Sequence, residues 1–211
     1  MFLRRLRTSA ALRRGATDGG VLAALRAELA HELSASSGPS AHPPLRPEDA
    51  SGFDTVSDAP RAQDVLLSRR AGSEEVLVSA LLAPLRFVDQ DPLPRAALMK
   101  VFVSKPGATP VLHFDCRASW VGDEEDRGAA DYAINAVRYH SAPGAAGQDE
   151  YEGPEFRDLD PRLQAALREY LVARGVNPKL ATSILQHLLE KERSQYVNWL
   201  KALEQAFAKD R

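Results

Sequence analysis

The sequence predicts an α+β fold in which an antiparallel meander of strands lies between helices drawn from the two ends of the chain. Three observations predict it. Between residues 64 and 140 apolar residues recur with period two, and the links between runs are short and hold no helical stretch. Before this region (21–33) and after it (161–211) apolar residues recur at spacings of three and four. The helical part is also punctuated: Asp160-Pro161 and Asn177-Pro178 are start signals and Arg174-Gly175 a stop.

The amino terminus, MFLRRLRTSAALRRGAT, carries five arginines and no acid before Asp18. Phe2, Leu3, Leu6 and Ala10 share one side of a helical wheel while Arg4, Arg5 and Arg7 lie off it. Amphipathic, arginine-rich and acid-poor is the composition of a mitochondrial transit peptide, assigned here to 1–19. The region 20–37 is expected to hold an amino-terminal helix, in which Leu22, Leu25, Leu29 and Leu33 form a narrow seam for one partner surface. Residues 34–58 are rich in Ser, Pro, Ala and Gly, and 38–58 is expected to be a mobile linker. The remaining residues, 59–211, are expected to form a single domain with 20–37.

Five strands are legible in the middle: DVLLSRR, EEVLVSALLAP, AALMKVFVSK, PVLHFDCRASW and DYAINAVRYH. In the fourth, Leu112, Phe114, Cys116, Ala118 and Trp120 alternate with His113, Asp115, Arg117 and Ser119. One face is therefore expected to be buried and the other wet, as in an antiparallel sheet. At the carboxyl end, Leu163, Ala166, Leu167, Tyr170 and Leu171 make the stripe of one helix. The next helix has two: Leu180, Ala181, Ile184, Leu185 and Leu188, then, after six polar residues, Tyr196, Trp199, Leu200, Leu203 and Phe207. The second stripe is rotated from the first, so the halves bend or face different partners. The second half suits packing on the amino-terminal helix or a neighbouring subunit.

Composition narrows the function. The single cysteine, Cys116, excludes an internal disulfide and fits a reducing compartment. No apolar run reaches the roughly 18–20 residues of a membrane span. The formal net charge of −2 is unevenly placed: residues 20–211 hold 22 basic against 28 acidic groups, and 121–160 holds 11 acidic against 3 basic. An acidic body favours basic partners over nucleic-acid phosphates. Asp123, Glu124, Glu125, Asp126, Asp149, Glu150, Glu152 and Glu155 are the candidate partner-binding surface. Chemistry is hard to build. His113 and Asp115 share a strand face while Cys116 points the other way, so a Cys/His dyad is geometrically wrong. Two ligands do not make a metal site, and there is no phosphate-cradling glycine loop or serine elbow. The chain is read as a non-enzyme with no catalytic, cofactor or metal residues.

The motifs EYLVARGV and QYVNWLKALEQAF, with the strand pairs DVLLSRR/EEVLVSALL and VFVSKPG/PVLHFDC, resemble the mitochondrial glycoprotein family of acidic matrix proteins, to which the mammalian receptor for complement globular heads belongs. The resemblance covers residues 21–211. It implies a strongly twisted antiparallel sheet of about seven strands flanked by amino- and carboxyl-terminal helices, in a doughnut-shaped homotrimer. The two further strands would come from the 53–56 region or from division of a longer run. It also implies a matrix scaffold or chaperone with no cofactor. Its partners would be copies of itself and basic mitochondrial proteins such as ribosomal or RNA-processing factors, in support of ribosome assembly, translation and oxidative phosphorylation. The alternative is a direct RNA-binding cofactor of mitochondrial RNA processing or editing.

Overall fold

Strands of alternating pattern joined by short links zip into one sheet in chain order. The computed structural model describes residues 18–35, 50–105, 107, 111–122, 128–140 and 151–209. The sheet runs β1 (Asp54–Ser57), β2 (Asp64–Ala71), β3 (Glu74–Leu82), β6 (Ala97–Ser104), β7 (Val111–Val121) and β8 (Ala129–His140), each antiparallel to its neighbour. Between β3 and β6 the chain makes a separate two-stranded ribbon, β4 (Phe87–Val88) and β5 (Asp91–Pro92). The described sheet thus has six strands and a two-stranded satellite rather than about seven in one sheet. The proline-rich DQDPLP could not supply the backbone donors of a long central strand. The 53–56 region does supply a strand, β1.

Two compact units divide the chain, one of residues 43–189 and the other of 1–42 with 190–211. In the first, the sheet buries one face beneath α2 (Pro161–Val172) and the first half of α3 (Pro178–Lys209). Val65, Leu67, Val76, Val78, Met99, Val101, Phe114 and Cys116 from the strands meet Leu171, Val176, Leu180, Ile184, Leu185 and Leu188 from the helices. Alternation in the strands and the 3.6 period in α3 are therefore two readings of one core. In α2 only the carboxyl half turns inward: Leu171 is fully buried and Leu167 and Tyr170 half-buried, whereas Leu163 is 48% exposed and Ala166 is exposed. The expected stripe through Leu163 and Ala166 is corrected accordingly; these residues cover a helix start at the margin of the core.

The punctuation works as the residues dictate. Asp160 Oδ1 accepts from the Arg162 backbone N–H at 2.9 Å with Pro161 in the first turn, and Asn177 Oδ1 accepts from Leu180 N–H at 3.0 Å. Gly175 N–H donates to Val172 O and Val176 N–H to Leu171 O, the paired bonds of a glycine-closed helix end.

Segment 38–58, expected as linker, contains core. Ala50 and Phe53 are fully buried, and Phe53 N–H donates to Ala50 O at 3.0 Å to close the turn that launches β1. Part of a free strand edge is occupied as well. At β8, Thr182 Oγ1 accepts from Ala130 N–H at 2.8 Å, and Arg168 donates to Tyr132 O at 3.0 Å and to both oxygens of Asp131 at 2.8 Å. Side chains from α2 and α3 thus occupy backbone groups that would otherwise template another strand.

Candidate interaction surfaces

In the second unit, α1 (Asp18–Ala35) runs antiparallel to residues 190–209 of α3. Three contacts set the register: Arg26 Nε to Glu204 Oε1 at 2.8 Å, Tyr196 Oη to Glu28 Oε1 at 3.2 Å, and Arg193 Nη2 to Glu32 O at 3.1 Å. α1 begins at Asp18, within the 1–19 segment assigned to the transit peptide, and includes Gly19 and Gly20. The candidate packing residues divide by exposure. Leu22 and Leu200 are buried, Leu25, Leu29, Leu203 and Phe207 half-buried, and Leu33 is 45% exposed. Val197, which the stripe did not include, is buried. Tyr196 and Trp199 stack on each other at 5.9 Å between centroids while Trp199 stays 55% exposed. The two halves of α3 belong to different units, so the rotation between its stripes corresponds to a change of surroundings.

Of the candidate acidic surface, Asp123, Glu124, Glu125, Asp126, Asp149 and Glu150 lie outside the described residues. The two that remain are paired: Glu152 Oε2 with Arg138 Nε at 3.0 Å and Glu155 Oε2 with Arg157 Nε at 2.7 Å. Both are mostly exposed, so these pairs give little stability but lower the charge presented to a partner.

The sheet face away from the helices carries His113 and Asp115, as period two requires, but it is not wet throughout. His113 is only 6% exposed, stacked at 4.5 Å on Phe102 and tilted against His140 at 5.3 Å. Strand period alone could not show this, because the cover comes from cross-strand neighbours. Cys116 lies on the opposite, core face, where burial pushes its thiol up to about 12, with Asp115 adding to the shift. A thiolate nucleophile is thus not on offer near neutral pH. Alkylation of the native protein with iodoacetamide is expected to leave Cys116 unmodified until denaturant is added; stoichiometric labelling of folded protein in mass spectra would contradict its burial. Among the described residues, no group of three or more His, Cys, Asp or Glu side chains could hold a metal, and no helix is long and apolar enough to cross a membrane.

Residues 25–207 match the family model described as mitochondrial glycoprotein. The chain belongs to the mitochondrial glycoprotein family. It is 39% identical over 56 residues to a protein of Schizosaccharomyces pombe named mitochondrial acidic protein mam33, a match covering 26% of this chain and 21% of that one. It is 26% identical over 161 residues to an uncharacterized mitochondrial protein of Arabidopsis thaliana, covering 71% of this chain and 60% of that one. The matches thus span less than two thirds of these relatives' own lengths. Two solved structures share the fold. The p22 protein of Trypanosoma brucei aligns over 90% of this chain and 98% of its own, with a TM-score of 0.67 and 23% identity. A Leishmania major protein described as a sequence homologue of human p32 aligns over 91% and 99%, with 0.66 and 20%.

Proposed function

We propose that this mitochondrial glycoprotein family member is a non-enzymatic scaffold of the mitochondrial matrix. In this reading it is a doughnut-shaped homotrimer that holds basic proteins during ribosome assembly, translation or RNA metabolism, and so supports oxidative phosphorylation. The relatives named as mitochondrial and the arginine-rich amino terminus support the compartment. The acidic excess of 121–160 supports basic partners, drawn in by its field.

The observation that carries the assembly is the stacked, solvent-facing Tyr196 and Trp199 on a helical pair that already has its own polar register contacts. Covering the exposed part of a tryptophan is worth about 2–3 kcal/mol per subunit at roughly 25 cal/mol per Å². Trp199→Asp is therefore expected to weaken association about a hundredfold while leaving the circular dichroism of the folded chain unchanged. Light scattering on protein lacking residues 1–17 tests both statements. A monomer before any substitution would sink the trimeric reading, and a trimer that ignores Trp199→Asp would sink the placement of its seam. Crosslinking with mass spectrometry in intact mitochondria tests the partners; recovery of no basic protein would count against the scaffold.

A further inference from the structure

One chain of polar groups on the open sheet face is built like a proton-sensitive contact. His113 Nδ1 lies 3.1 Å from His140 Nε2, and His113 Nε2 lies 3.2 Å from Asp115 Oδ1. The other Asp115 oxygen accepts from Arg138 Nη1, and Arg138 Nε donates to Glu152 Oε2 at 3.0 Å. The chain therefore ties β7 to the last residues of β8, and those to the segment that returns toward α2.

Two imidazole nitrogens this close need one proton between them, no more and no fewer. The negative charge of Asp115 favours a hydrogen on the nearer nitrogen, His113 Nε2, although Nε2 and Asp115 Oδ1 are not in hydrogen-bond geometry. This leaves Nδ1 as the acceptor. His140 Nε2–H is then the donor. A proton taken up by His113 breaks this arrangement, because two N–H groups would then point at each other.

We propose that the His113–His140 contact is an acid-opened latch, which adds to the backbone pairing of β7 with the end of β8 while His113 is neutral and is lost when His113 is protonated. The groups facing His113 are Phe102 and Lys100 from β6, Asp115 from its own strand, Arg138 and His140 from β8 and, through Arg138, Glu152. Burial is the largest influence and pushes His113 below 6.5; Asp115 opposes it, and Lys100, His140 and Arg138 act with burial. The sign follows from this. The opened state binds the proton more readily than the closed one, so the contact is complete above the ordinary histidine value of 6.5 and is lost as pH falls below it.

The test is imidazole and amide NMR on the full chain from about pH 7.5 to about pH 5.5. His113 is expected to titrate below 6.5. Amide exchange at residues 137–140, corrected for its intrinsic pH dependence, should rise by up to about tenfold per pH unit in that range. His140→Gln offers either a donor or an acceptor and should abolish this rise, and His113→Phe, which keeps the stack on Phe102, should do the same. If His113→Phe does not fold, His140→Gln at the half-buried strand end carries the test alone. Titration of His113 at or above 6.5, an exchange profile flat with pH, or equal opening in His140→Gln would each overturn the latch.

Discussion

Phe53→Ala is expected to lower the unfolding free energy by about 3–5 kcal/mol, the range for truncating a buried aromatic ring. Phe53 is fully buried and belongs to the same core as Val76, Phe114 and Ile184. The Arg69 guanidinium lies over its ring at 5.9 Å, and Arg69 Nη1 donates to Ser51 O at 2.7 Å, so removing the ring also takes away the floor under a half-buried cation. The surrounding backbone has little freedom to collapse. Ser51 and Gly52 hold φ of 54° and 79°, and Ser51 Oγ is 3.2 Å from the Asn177 oxygen that caps α3. Since domains are stable by only about 5–15 kcal/mol, this loss is a large share of the total. Urea unfolding followed by circular dichroism measures it. Thr55→Ala, two residues on and exposed, is the control, with an expected change within about 0.5 kcal/mol. Equal, negligible effects of both substitutions would show that 50–57 is linker after all.

That contrast marks where sequence patterns stop being readable. The five long strands could be read because each buries one face, and burial of one face writes a period of two into the residues. β1 is four residues long, exposed throughout and interrupted by a register shift between Thr55 and Ser57, so it has no period to read. Its neighbours Ala50 and Phe53 are anchors set among Ser, Pro and Gly, and composition averaged over 34–58 hides them. β8 was legible as a strand, but the cover of its edge by Thr182 and Arg168 joins residues 52 and 36 positions apart, a pairing no local pattern contains.

The interaction surfaces are legible to a different extent. A helical stripe shows that Tyr196, Trp199, Leu200, Leu203 and Phe207 are apolar on one side. It does not show that this arc is wider than one partner can cover. The structure resolves the arc into buried Val197 and Leu200 and an outward Trp199. For the His113 cluster the strand period gave the shared face of His113 and Asp115. The neighbour that makes it a proton-sensitive pair, His140, lies across the β7–β8 register, opposite Val111. Sequence alone contains no signal for that diagonal contact.

Gly175→Ala is expected to cost about 2–5 kcal/mol, from two separate causes. The first is conformational. Gly175 has φ of +87°, and an L-residue in the left-handed region costs about 1–2 kcal/mol. The helix needs that conformation, because it turns Gly175 N–H onto Val172 O and Val176 N–H onto Leu171 O, and it carries Val176 into the core. The second cause is steric. A methyl group here would stand 2.9 Å from Arg69 Cζ and 3.3 Å from Phe53 Cε2. The guanidinium would have to leave Ser51 O, and a half-buried cation without its acceptor adds about 1–3 kcal/mol. The causes can be separated by experiment. Gly175→Asn keeps access to the left-handed region but still places a Cβ against Arg69, so it should recover only the conformational part. Combining Gly175→Ala with Arg69→Ala should cost less than the sum of the single changes, because the clash is counted in only one of them. Additive losses in urea unfolding would show that Arg69 does not press on the helix end, and that backbone conformation alone makes glycine necessary there.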